Sequence, residues 1–234
     1  LLATVTEATR RGCMVLLAAP ADSELAIAGG SRVLLVPTRS GAVTAAAVVL
    51  LSLLHEAGLG PVVNCEHAAE AADMVAEQSS PHRDLSANPA KDLACALGDT
   101  EPLIWGGSVL AARASRRIAE ALRLYSGRPV LAADAREIAQ VLRHVAPADP
   151  FADPFTDKAA VGRPVLVLLD DEHSGTVGAD QGRSLQQLAT RGGVRVCQLS
   201  AGAGSEVDRY ITLLMQGLYG AAYLGIGLGW TQPS

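Results

Sequence analysis

Gly106, Gly107 and Ser108 follow a short apolar run, Leu103 to Trp105, and precede a helical stretch that carries Arg113, Arg116 and Arg117. A strand-to-helix turn of this kind leaves the first amides of the helix without intrahelical acceptors. Those amides, with guanidinium groups nearby, form an anion site for a group such as phosphate. The competing reading is an ordinary tight turn followed by solvated arginines. Glu137 stands three residues after Asp134 in LAADAREI. It can act as an acid–base carboxylate, or simply as the far member of a capping box. Asp170, Asp171 and His173 together suggest a metal, but no second ligand cluster has a matching spacing. A polar loop is the better reading, and no metal is expected. His55 and His144 fall near helix C-termini, where partial negative charge favours them, and His67 and His82 have no convincing partner. The chain has no Gly-x-Ser-x-Gly elbow, Walker loop or dinucleotide fingerprint, so no cofactor is expected.

The elements that position these residues run from Asn88 to Val145. Asn88 suits an N-cap, Pro89 the first helical position and Gly98 the stop. The Leu103 run, its two glycines and a helix from Val109 to about Tyr125 come next. A second strand, Pro129 to Ala133, leads into a helix that Asp134 starts. This is a βαβ unit, and it predicts a parallel sheet with a ligand crevice at the carboxyl ends of its strands. Strands at Val165 and Val194, each followed by a helix, complete an α/β domain. In the last helix Val207, Ile211, Leu214 and Leu218 recur at helical spacing. The segment from Gly217 to Gly229 is apolar enough to predict packing between lobes or at a dimer interface.

The residues before Asn88 read as a smaller piece. Leu1 to Arg11 suits a helix, and Cys13 to Ala19 and Val33 to Val36 suit buried parallel strands. Ala42 to Leu54 is too short for a membrane span and predicts a helix buried on all sides. Two strands would leave both sheet edges bare, so we expect preceding sequence or a partner to complete them. Glu66 to Gln78 is a polar helix, and Ala146 to Arg163, with its tandem ADPF, is a linker. The boundaries are accordingly 1–84 and 85–234. Hydrophobic residues make up 49% of the chain and aromatics 3%, so the core must be Ala, Val and Leu. A net charge of -5 gives no support for nucleic-acid binding. Cys13, Cys65, Cys95 and Cys197 lie far apart, with Cys13 and Cys197 in apolar runs; reduced core thiols and a cytoplasmic location are expected.

NPAKDLACALG, PLIWGGS and the basic helix after them resemble the second half of the bifunctional phosphoglucose/phosphomannose isomerases of the sugar isomerase (SIS) superfamily. The later run from DDEHSGTVGADQG to YGAAYLGIGLG is similar to that family's C-terminal segment. The resemblance covers about residues 85 to 232, and residues 1 to 60 look like the tail of a first lobe. It implies two αβα sandwich lobes with parallel sheets, the first only partly present, and a homodimer with its site between lobes and subunits. It also implies a sugar phosphate as ligand, in carbohydrate metabolism. The family's Ser/Thr-rich phosphate loop would precede Leu1. Its catalytic Glu belongs to a Pro-Glu…His-Asn-Glu motif; here Ala132 falls at the Glu and Ala135 at the His, while Glu137 matches the final Glu. The family's Arg-Trp-Lys run falls near Arg116 and Arg117, without the Trp or Lys. The candidate substrate-binding residues are therefore Gly106, Gly107, Ser108, Arg113, Arg116 and Arg117, and the candidate catalytic residue is Glu137. The expected function is sugar-phosphate binding with isomerase activity weak or lost. The alternatives are an active aldose–ketose isomerase with Glu137 as a relocated base, or a non-catalytic regulatory or interaction protein.

Overall fold

Four side chains that hydrogen-bond readily to free amides start four of the helices. Asn88 Oδ1 accepts from the amides of Ala90 and Lys91, and Ser108 Oγ accepts from Ala111 N at 3.0 Å. Asp134 Oδ1 accepts from Arg136 N and Glu137 N. Ser205 and Asp208 form a complete capping box. Each cap satisfies amides that have no partner within their own helix. The computed structural model describes residues 1–39, 42–145 and 162–229. The expected linker lies outside the described residues, apart from Gly162 and Arg163. The chain divides into two compact units, Leu1–Ala69 and Glu70–Ser234.

The first unit contains α1 (Leu2–Arg10), β1 (Val15–Ala19), α2 (Glu24–Gly29), β2 (Val33–Pro37) and α3 (Val43–Glu56). Its strands pair in parallel, Val15 opposite Val33 through Ala19 opposite Pro37. Ser23 Oγ caps α2. Three expectations fail here. The strands are parallel but not buried as expected: of β1 and β2 only Ala19 is buried, and Leu34 is 61% exposed. No residue of α3 is buried, although the sequence reads as a helix apolar on all sides. A two-stranded sheet offers only one face to the helix, so the rest of α3 has nothing in this unit to pack on. Cys13 is also exposed, because β1 begins only at Val15.

Helix α4 (Cys65–Gln78) crosses the division between the units. The loop after it is tied to the second unit. Asn88 Nδ2 donates to Ser80 O at 3.0 Å, Lys91 Nζ donates to Pro81 O and Arg83 O, and the Tyr223 hydroxyl donates to Ser79 O at 2.7 Å. These bonds hold residues 79–83 against the rest of the second unit.

The second unit continues with α5 (Pro89–Leu97), β3 (Thr100–Gly106), α6 (Val109–Ser126), β4 (Leu131–Ala132), α7 (Ala135–Arg143), β5 (Arg163–Asp170), α8 (Gly175–Arg191), β6 (Arg195–Ser200) and α9 (Glu206–Gly227). The sheet is parallel throughout, in the order β4-β3-β5-β6. Strand residues alternate between two buried layers. Ile104, Val165, Val167 and Leu169 pack under α5, α6 and α9. Leu103, Trp105, Leu166 and Leu168 pack under α7 and α8. This is the expected αβα sandwich. β4 is shorter than expected, with only Leu131 and Ala132 pairing to β3, and Pro129 has no N–H to extend the ladder. Much of the apolar α9 segment is covered inside this unit: Gly217 lies against Ile118 and Gly220 against Leu93, with Ala221 and Leu224 buried. Among the described residues no helix is long and apolar enough to cross a membrane.

Candidate functional site

In this strand order the chain leaves β3 toward β4 and leaves β5 toward β6. The two strands therefore flank a switch point, where α/β sheets commonly bind ligands outside the carboxyl ends of their strands. The Gly106-Gly107-Ser108 turn ends β3, and Asp170 to Ser174 ends β5. Here the two turns touch and close the gap. A Cβ built on Gly107 would stand 2.7 Å from Ser174 Oγ and 2.8 Å from Trp105 Cη2, so only glycine fits. The Ser108 hydroxyl donates a short hydrogen bond to Asp171 Oδ2. Asp171 Oδ1 accepts from Ser174 Oγ and His173 N. Asp171 is 3% exposed, so its carboxylate is nearly desolvated. Ser108 and Ser174 are the N-cap residues of α6 and α8, which brings the positive ends of two helices to that carboxylate. By sequence alone Asp171 belongs to a polar loop. The only signal for its role was its place at the end of the strand that pairs with β3.

With the switch point bridged, open space remains on either side of it. Beside β3 and β4 lies a crevice of about 650 Å³, lined among others by Gly106, Gly107, Ser108, Arg116, Arg136 and Gln181. It brings together the first turns of α6 and α7 and two guanidinium groups. Among the described lining residues Asp134 is the one carboxylate, and that group caps α7. The Ser108 hydroxyl is committed to Asp171 and Ala111, which leaves backbone amides, the two arginines and the Gln181 carboxamide as donors for an anion.

The structure distributes the candidate residues unequally. Gly106, Gly107, Ser108 and Arg116 meet at the crevice. Arg117 pairs with Glu120 at 2.8 Å on the exposed face of α6. Arg113 and Arg117 both act on Tyr210 of α9: burial pushes that phenol's pKa up, and the two guanidinium groups oppose the shift. Glu137 is exposed on α7, with its amide bonded to Asp134, and does not line the crevice. Sequence reading did not single out Arg136 or Gln181. Arg136 was legible in principle, two residues into the helix that Asp134 caps, whereas Gln181 reaches the crevice only through the packing of α8. Among the described residues no group of three or more His, Cys, Asp or Glu side chains is arranged to hold a metal.

The fold has a solved counterpart. The chain is similar to the crystal structure of a glucose-6-phosphate isomerase-like protein from Thermus thermophilus, with a TM-score of 0.59 and 20% sequence identity. The match covers 87% of this chain and 65% of that one. At this identity the two share a fold, and the present chain spans 65% of the other's length. No protein-family model and no curated protein matches the chain.

Proposed function

We propose that the chain binds a sugar phosphate in the crevice beside β3 and β4, and that its isomerase activity is weak or absent. One observation carries the reading. The crevice combines two helix N-termini with Arg116 and Arg136, while Ala132 and Ala135 stand where the resembled enzymes carry their Glu and His. Amides and guanidinium groups hold a phosphate dianion well. Aldose–ketose isomerisation also needs a base to move a proton between adjacent carbons, and a methyl group cannot do this. A missing acid–base group typically lowers turnover by about 10²–10⁴-fold. The shared fold with a glucose-6-phosphate isomerase-like protein supports the substrate class.

The test is calorimetry with fructose 6-phosphate, glucose 6-phosphate and mannose 6-phosphate, alongside a coupled isomerase assay on the intact chain. Binding without turnover is expected, weakened roughly tenfold or more by Arg116→Ala, since a charge-assisted hydrogen bond is worth about 1.5–3 kcal/mol. Robust turnover abolished by Glu137→Gln would replace this reading with an active enzyme that uses a relocated base. The proposal includes a homodimer. Tyr219, Ala222, Tyr223 and Ile226 line an open apolar groove of about 840 Å³, and Ile226 is 68% exposed. Light scattering at micromolar concentration should give twice the chain mass; a monomer would remove the dimer from the proposal.

A further inference from the structure

The other side of the bridged switch point holds a second cavity, of about 490 Å³, against the carboxyl ends of β5 and β6 and the first turns of α8. Its volume lies within the range of small-molecule sites. We propose that this cavity binds an uncharged, hydroxyl-rich ring, that is, an unphosphorylated monosaccharide. Its lining supplies what such a ring needs: an aromatic surface together with paired donors and acceptors. Trp105 is 6% exposed and borders the cavity. Gly182 lies on the lining of α8, and a Cβ there would come 3.1 Å from Trp105 Cζ3. The missing side chain leaves room beside the ring.

Polar groups surround that surface. Asp170 accepts from Gln198 Nε2 at 3.2 Å and from Glu172 N at 2.9 Å. Each carboxylate oxygen keeps a second lone pair, and the Gln198 carboxamide adds another acceptor. Arg183 spends part of its fork on Asp180, and the rest of its five donors remain. Gln186 and Thr176 complete the lining. A hydroxyl both donates and accepts, so it can use either kind of group. Charge selects against phosphate: Asp170 and Glu172 face the same space, and Arg183, the one guanidinium among the described lining residues, is already paired with Asp180. Glu172 holds a left-handed backbone with φ 59°, a conformation disfavoured for glutamate and one that concentrates at binding sites.

The Gly107–Ser174 contact stands between this site and the sugar-phosphate crevice, and Trp105 borders both. The experiment titrates the intact chain with glucose, mannose and fructose, read by tryptophan fluorescence and calorimetry, and repeats each titration in saturating inorganic phosphate. Saturable binding of at least one sugar is expected, unaffected by phosphate. Gln198→Ala and Arg183→Ala should each weaken it about tenfold, or 1.4 kcal/mol. Both side chains are exposed, so the fold should tolerate their loss, and circular dichroism checks this. Absence of saturable binding for all three sugars overturns the proposal. So does competition by phosphate, or a loss in Arg116→Ala as large as in Gln198→Ala, since either result puts the ring in the β3–β4 crevice. The sugar-phosphate reading is judged separately, on the phosphorylated ligands.

Discussion

Asp171 shows how much a single buried carboxylate can hold together. It joins Ser108 and Ser174, and through them the starts of α6 and α8. Asp171→Ala leaves two hydroxyls without their acceptor, which should cost about 1–3 kcal/mol in urea unfolding. Ser108→Ala removes the α6 cap as well as this bond and should cost about 1 kcal/mol. Because the two side chains share one interaction, the double variant should lose less than the sum of the singles. Full additivity would show that the Ser108–Asp171 bond contributes nothing. Cys197 offers a second check at this scale. Burial pushes its thiol pKa up, so less of it is thiolate at any given pH, and the thiolate is the species that reacts. At pH 8 iodoacetamide should label exposed Cys13, Cys65 and Cys95 before Cys197. Equal rates would contradict the burial of Cys197.

Among the elements, α9 depends most on the absence of side chains. A Cβ on Gly217 would come 2.3 Å from Ile118 Cγ1, and Ile118 is itself 1% exposed. Alanine gains up to about 1 kcal/mol in helix propensity over glycine. Overpacking a closed core costs about 1–3 kcal/mol, so the clash should win. Gly217→Ala should lower the melting temperature. Gly227→Ala should not, because nothing lies within 4 Å of the added methyl. If both variants melt alike, α9 does not pack on α6 as described.

At the scale of the whole molecule, the two units differ in how much they bury. β1 and β2 together bury Ala19 alone, whereas β3 and β5 carry Ile104, Val165, Leu166, Val167 and Leu169 at 1% exposure or less. Amides in strands with few buried contacts open at low free energy. Hydrogen exchange should therefore be fast in β1 and β2 and slowest in β3 and β5. Equal protection of the two sheets would mean that the first unit gains burial the isolated chain does not show, as from a second copy.

How much of this was legible in the sequence follows from the range of the forces involved. Helix starts at Asn88, Ser108, Asp134 and Ser205 depend on side chains within three residues of the amides they satisfy, so the letters alone determine them. The buried strands β3 and β5 are built on apolar runs, and the alternation of strands with helices fixes a parallel sheet. The apolar composition of α3 implies burial that the structure does not provide, because composition cannot say whether a second surface exists to cover an apolar helix. The site was legible only in part. Gly106 to Ser108 form one turn and read as one feature, but Asp171 lies 63 residues from Ser108, and strand order alone brings them together. The same order closed the switch point and left a space on each side of it. Three arginines on one helix look equivalent in sequence, yet only the packing of α6 on the sheet and on α9 put Arg116 at the crevice and set Arg113 and Arg117 beside Tyr210.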